Sequence, residues 1–309
     1  MAADFRQFDE HGFPLPPRFD DLKYHSDEPP RRSPISLKKK RLVMLVVLFG
    51  IIIPIAFGPH ILSVGRASLS QWLANRAGQK YLQGNYSGAI ADASWAIGWS
   101  PHTKELYFLR AQCKEKVADL DGSLEDWNQS LGLTNSSVEL SFIHSARGWI
   151  YARLRRFQEA VDDANQAVKL SPTASNLNTR AYIRALGNME LADALVDVNK
   201  AIDERSDDNA EFLDTRGYIL HLLDRNDEAL KDLDEAIKST DRVKLELQIQ
   251  RRAFDPRSFA MQSEEVDHSR AVMYHHRGLI YSKLGRDEES SQDLRQAEQL
   301  GYNPAKGVL

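Results

Sequence analysis

The chain has very little cysteine and no large excess of charge of either sign. Cys113 is the only cysteine among 309 residues, so a disulfide within the chain is excluded. The 40 basic residues are opposed by 44 acidic ones, which gives a formal net charge of −4. Such a charge offers no dominant basic field to attract phosphates. We therefore expect neither a disulfide scaffold nor a nucleic-acid partner.

Recognisable signatures of catalysis and metal binding are also missing. The sequence contains no glycine-rich phosphate loop and no nucleophile motif. His275 and His276 are adjacent, and adjacent side chains on a helix point about 100° apart, which does not suit a metal pair. We therefore predict that the protein is not an enzyme and has no catalytic residue, no metal and no cofactor.

The first 41 residues form a zone rich in proline and charge. The segments "HGFPLPPRFDD" and "SDEPPRRSP" interleave prolines with charges of both signs. Such a composition leaves little apolar surface to bury, and it is typical of disorder. We predict that residues 1–41 are a disordered tail.

A long apolar run follows, with no Asp, Glu, Lys or Arg from Leu42 to Gly65. About 20 apolar residues in a helix match the thickness of the bilayer hydrocarbon, so we predict a transmembrane helix over 42–64. Pro54 would kink this helix without forbidding it. A cleaved signal peptide is disfavoured by the 41 residues before the run and by the lack of a clean A-x-A site.

The basic residues around the run predict its orientation. Six precede it closely, whereas only Arg66 and Arg76 follow within a comparable distance. Because basic residues favour the cytoplasmic side, the tail is expected in the cytoplasm and the rest of the chain on the opposite side. The sequence leaves open whether that side is a periplasm or a lumen.

From residue 67 onward the chain repeats itself at about 34 residues. An arginine followed directly by Ala or Gly recurs six times, at Arg76, Arg110, Arg147, Arg180, Arg216 and Arg277. Small residues also recur about thirteen and twenty positions later, and polar or helix-breaking residues lie between. The pattern predicts an all-α protein in which about six helix–turn–helix units fill residues 67–309.

Each of these arginines precedes an aspartate at a fixed distance. The spacing is sixteen residues, or seventeen in the fourth unit, and the aspartates are Asp92, Asp126, Asp163, Asp197, Asp232 and Asp293. Since the arginine lies on the inner stripe of the first helix, we predict that each pair forms a structural ion pair in the interior. The spacing does not decide whether the partner belongs to the same unit or to its neighbour.

The repeat resembles the tetratricopeptide repeat family over roughly residues 67–303. The matching residues are the Gly or Ala after each arginine, Tyr151 and Tyr281 three positions later, the turn, and "EAV…QAV…SP" within 159–172. The chain departs from the family pattern at the arginine, where leucine is usual. The resemblance implies a right-handed α-solenoid whose concave groove is lined by the first helix of every unit and binds a protein or peptide.

Five residues fall on the positions implied for this groove, namely Phe108, Trp149, Tyr182, Tyr218 and His275. Trp149, Tyr182 and Tyr218 come from consecutive units and form a candidate aromatic stripe. Two interpretations remain open: the stripe holds an extended partner, or it packs neighbouring first helices together.

An insertion separates the fifth and sixth units, at about residues 240–270. We expect it to lengthen the second helix of the fifth unit and then loop out as a lateral decoration. The sequence as a whole predicts a single-pass membrane scaffold that binds a protein through its groove close to the bilayer. The alternative is a structural accessory subunit of an envelope or translocation complex that uses its outer surface.

Overall fold

The computed structural model describes residues 37–47, 53–204 and 209–302, and every long element in those ranges is an α-helix. One short 3₁₀ turn, Arg251–Ala253, accompanies the helices. The helices are α1 (Leu37–Val47), α2 (Ile53–Leu82), α3 (Tyr86–Trp99), α4 (Lys104–Lys116), α5 (Leu120–Leu131), α6 (Ser137–Arg153), α7 (Phe157–Leu170), α8 (Ala174–Leu186), α9 (Leu191–Asp203), α10 (Ala210–Leu222), α11 (Asn226–Gln250), α12 (Pro256–Lys283) and α13 (Asp287–Gln299).

The chain divides into two compact units between Ser63 and Val64. Most of the predicted tail lies outside the described residues, as do residues 48–52 in the middle of the predicted span over 42–64. Within the described ranges, no helix has both the length and the apolarity needed to cross a membrane. The second unit begins at Val64 and holds the repeats.

Every repeat is a pair of antiparallel helices joined by the same tight turn. Eight residues after each arginine the backbone takes a positive φ, at Gly84, Ala118, Arg155, Asn188, Asp224 and Gly285. Only two of these residues are glycine. In the other four units a residue with a side chain adopts the left-handed backbone conformation, which is less favourable than it is for glycine. A shared backbone conformation at a shared position keeps the two helices of each unit at the same angle.

Small residues let the helices of a pair approach closely. A Cβ placed on Gly148 would lie 3.2 Å from the carbonyl oxygen of Ala160 on the second helix of the same unit. The fully buried Ala77 and Ala89 pack together in the first unit. Larger side chains fill the space between successive pairs, as Trp127 does among residues of α4, α5 and α6. Buried clusters of this kind recur along the repeats.

All six arginines bind the aspartate of their own unit in the same geometry. Nε of the arginine donates to Oδ2 and Nη2 donates to Oδ1, with donor–acceptor distances between 2.6 and 2.9 Å. The aspartates are buried, whereas the arginine stems reach the surface at one edge. A two-bond fork of this kind fixes the distance and the rotation between the two helices of a unit.

The third guanidinium nitrogen connects neighbouring units. Nη1 donates to the side-chain oxygen of a residue on the second helix of the preceding unit, at 2.6–3.2 Å. These acceptors stand two positions after the aspartates, and they are Ser94, Asn128, Asn165, Asn199 and Asp234. Each such arginine thus joins both helices of its own unit to the unit before it.

The inserted segment lengthens the second helix of the fifth unit, as expected, and α11 has 25 residues. The loop expected after it is replaced by the short turn at Arg251–Ala253 and by a lengthened α12 of 28 residues. Side-chain contacts join the two extensions. Lys244 of α11 contacts Ser263 and Asp267 of α12, and Arg270 of α12 lies 2.6 Å from Asp241 of α11. Pro256 fits because it opens α12, where a missing N–H costs no helical hydrogen bond.

We predict that the pair Arg147–Asp163 is strongly coupled. Arg147→Leu alone should lower the free energy of unfolding by about 3 kcal/mol, because it removes the guanidinium from the buried Asp163 carboxylate and leaves His144 as its side-chain partner. Arg147→Leu combined with Asp163→Leu should cost clearly less than the two single changes summed. Urea unfolding of the four proteins measures both quantities.

Arg225→Leu is the matched control, because Arg225 pairs with Glu228 on the exposed surface. This change should leave the unfolding free energy nearly unaltered. Strict additivity of the Arg147 and Asp163 changes would contradict the coupling.

Candidate functional site: an aromatic row on the first helices

Three aromatic rings from consecutive first helices touch one another in a row. The centroids of Trp149 on α6 and Tyr182 on α8 are 5.7 Å apart, and those of Tyr182 and Tyr218 on α10 are 6.1 Å apart. The Tyr182 ring is buried, whereas Trp149 and Tyr218 are half-buried. The row therefore packs neighbouring helices together and still presents an aromatic surface at two places.

A histidine on α12 extends the row into the sixth unit. The ring of His276 stacks on Tyr218 with 4.4 Å between centroids and 14° between planes. Its Nδ1 lies 2.8 Å from Oδ1 of Asp214, one turn before Tyr218. A carboxylate only accepts, so Nδ1 of His276 carries a proton and donates it in this contact.

The other two predicted groove residues belong to different contacts. His275 stacks on Tyr302, with 4.1 Å between centroids, and does not touch Tyr218. Phe108 packs against Trp127 and Phe142, 5.4 and 6.1 Å away, in a separate aromatic cluster of the second and third units. The structure thus brings together Trp149, Tyr182 and Tyr218 and leaves Phe108 apart from them.

Buried polar atoms along this row lack a partner in the part of the chain that the structure describes. They are Oδ1 of Asn178, one turn before Tyr182, then Nε2 of His276 and the hydroxyl of Tyr302. Buried polar groups are nearly always hydrogen-bonded, and leaving one unpaired costs about 1–3 kcal/mol.

Burial shifts the pKa values of several groups in and beside the row toward the neutral form. It raises the pKa of Tyr182 well above the usual value, and it raises the pKa of Tyr302 to about 12. Burial, followed by the neighbouring His276, lowers the pKa of His275 to about 4. Asp214 is the buried carboxylate among these rings, and its charge helps to raise the pKa of Tyr218, although burial is the larger cause.

Sequence reasoning overlooked His276 and the acceptors of the third arginine nitrogen. His276 occupies the position directly before the arginine, where the fourth and fifth units carry the buried Thr179 and Thr215. A polar residue two positions after each aspartate was the available signal for the acceptors. This signal was inconspicuous because the position holds serine, asparagine or aspartate in different units, and all three residue types are also common on exposed helix faces.

The low pKa of His275 predicts a pH-dependent stability. Between the ordinary pKa of 6.5 and about 4, the unfolded chain binds a proton at His275 that the folded chain does not. The stability contributed by neutral His275 is therefore complete above about pH 6.5 and is lost progressively as the pH falls toward 4.

Urea unfolding at pH 7 and pH 5 measures this loss. His275→Gln should show a smaller drop between the two pH values than the unmodified chain, and the exposed His102→Gln should show an unchanged drop. An equal drop in all three proteins would contradict the assignment to His275.

Comparison with known proteins agrees with this architecture. Tetratricopeptide repeat models match residues 141–174 and 271–300, which contain the pairs Arg147–Asp163 and Arg277–Asp293. No curated protein matches the chain.

Two solved structures share the fold at low sequence identity. A tetratricopeptide repeat protein from Parabacteroides merdae is 16% identical, with a TM-score of 0.51, over 77% of this chain and 95% of that one. PilW, described as a widely conserved type IV pilus biogenesis factor, is 15% identical, with a TM-score of 0.52, over 74% of this chain and 92% of that one. The matched models identify tetratricopeptide repeats in these two segments, and the solved structures share the fold.

Proposed function

We propose that this chain is a non-enzymatic, membrane-anchored scaffold that binds a protein or peptide along the row formed by Trp149, Tyr182, Tyr218 and His276. The observation that carries the proposal is the contiguous aromatic row on consecutive first helices, in which Trp149 and Tyr218 remain partly exposed.

An extended polypeptide fits this combination chemically. Aromatic side chains contribute much of the binding energy at protein interfaces, because they bury a large area with few rotatable bonds. The partly exposed rings of Trp149 and Tyr218 therefore offer contacts to the side chains of a partner.

The sequence supports the membrane anchor. The uncharged run from Leu42 to Gly65 is long enough to span the hydrocarbon, and basic residues are concentrated before it. We propose a single span over 42–64, the tail in the cytoplasm, and the repeats on the opposite side of the bilayer. Binding then takes place at equilibrium close to the membrane and involves no chemical step.

The alternative function is that of an accessory subunit which builds an assembly through its outer surface. Val196, on the second helix of the fourth unit, is an exposed apolar residue that suits such a contact. The two functions differ in which surface touches the partner, and site-specific crosslinking from the two surfaces separates them.

Photo-crosslinkers placed at position 149 and at position 196 of the full chain, in intact membranes, should give different results. The groove function predicts a discrete partner band from position 149 and none from position 196. Trp149→Ala combined with Tyr218→Ala should weaken binding of that partner about tenfold or more, and Val196→Ala should not. A band from position 196 alone would favour the accessory subunit and contradict the groove.

The anchor has a separate test. The full chain should remain in the membrane pellet after alkaline carbonate washing, and deletion of residues 42–64 should release it. Protease added to the cytoplasmic side should remove the tail and leave the repeats intact. Release of the full chain by carbonate, or digestion of the repeats from the cytoplasmic side, would contradict the proposed topology.

A further inference from the structure

The first helix pair of the repeats, within residues 64–99, exposes several large apolar side chains in the part of the chain that the structure describes. In the second, third, fifth and sixth units the residue four positions before the arginine is buried, as Leu106 is in a cluster with Leu73 and Ala96. Trp72 holds this position in the first unit, and 53% of Trp72 is exposed. We call the exposed surface of this helix pair, with Leu69, Trp72, Trp95, Trp99 and the arginines beside them, the N-terminal end face.

Two more exposed tryptophans lie on the second helix of this pair. Ala93 of α3 packs in one cluster with Cys113 of α4, so the opposite side of α3 faces away from the following unit. Trp95 is two residues beyond Ala93, about 200° around the helix, and Trp99 follows one turn later. The exposed fractions are 67% for Trp95 and 40% for Trp99. Three exposed tryptophans on one helix pair form apolar surface of the kind that marks an interaction site.

The arginines of the N-terminal end face are left with spare donors. The guanidinium of Arg76 lies 4.4 Å from the ring centroid of Trp72, and that of Arg66 lies 5.9 Å from Trp99. The Arg76 side chain is 41% exposed, whereas its counterpart Arg147 is 17% exposed. Within the described residues, Nη1 of Arg76 has no acceptor such as the preceding unit supplies elsewhere.

The charge of this helix pair differs from that of the chain as a whole. Residues 64–99 contain Arg66, Arg76 and Lys80 but only one acidic residue, Asp92, whereas the whole chain has a net charge of −4. Asp92 is already bonded to Arg76 and Lys80. The N-terminal end face is therefore aromatic and cationic, while the repeats as a whole are acidic.

A second copy of the chain does not fit this face as a continuation of the repeats. Continuing them requires an acceptor two positions after the aspartate of the last unit. That position holds Arg295, which would approach Arg76 with the same charge.

We infer that the N-terminal end face binds the interfacial layer of a lipid bilayer, with the three tryptophan rings among the headgroups and Arg66 and Arg76 on lipid phosphates. Tryptophan is enriched at membrane–water interfaces, and arginine binds phosphate in a two-bond fork. The apolar run ends immediately before Arg66, which is held against Trp99. This inference rests on the proposed membrane anchor.

The five tryptophans of the chain make the test direct. The full chain, reconstituted in vesicles of phosphatidylcholine and phosphatidylglycerol brominated high on the acyl chain, should show quenched tryptophan fluorescence. Changing Trp72, Trp95 and Trp99 together to Phe should abolish most of the quenching. The matched variant, Trp127→Phe with Trp149→Phe, should retain it, because Trp127 is buried and both residues lie outside the N-terminal end face.

Single changes sharpen the test. Trp99→Phe should reduce the quenching more than Trp72→Phe, because Trp72 lies about 12 Å along the helix from Val64 at 1.5 Å per residue. Circular dichroism of each variant shows whether the helices are intact, and any variant that unfolds is replaced by the corresponding Trp→Tyr variant.

Carbonate extraction of the same vesicles distinguishes this inference from the anchor. Quenching that depends on the three tryptophans supports the inference, whether or not carbonate releases the chain. Absence of quenching in a carbonate-resistant chain overturns the inference and leaves the anchor, and it would point to a protein partner on this face. Absence of quenching in a chain that carbonate releases overturns both.

Discussion

The guanidinium group of the repeated arginine is the interaction on which the stacked helices depend. Two of its nitrogens hold the aspartate of the same unit, and in the five later units the third reaches the unit before it. A leucine at that place would pack equally well but would fix neither the rotation of a helix pair nor its register against the next. Losing one partner leaves a buried charge, so the same contact also excludes misaligned stacking.

The ends of the array show what this contact requires. Arg76 has no repeat before it and stacks on Trp72, and Arg295 replaces the acceptor that a seventh unit would need. Between these ends α6, α8 and α10 form one aromatic row, which α12 joins through the contacts of His276 with Tyr218 and Asp214. Trp149 and Tyr218 keep part of their surface exposed, and that links the architecture to the proposed binding of a polypeptide.

Much of the fold follows from spacing in the sequence. The fixed interval between Arg147 and Asp163 recurs in the other units and indicated both the number of helix pairs and the two side chains that meet. The row of Trp149, Tyr182 and Tyr218 followed from their equivalent positions in consecutive units. His276 did not, because a residue on the packing side of a single helix gives no sign of the ring it will meet on another unit.

The sequence by itself determined which residues are equivalent, because a helical repeat returns the same side chain to the same place once per unit. Only the tertiary structure decided which partners those residues have beyond their own unit. Three features depend on how one unit packs on the next. They are the acceptors of the third arginine nitrogen, the lengths of α11 and α12, and the separation of Phe108 from the aromatic row. Those contacts join residues that no local periodicity relates.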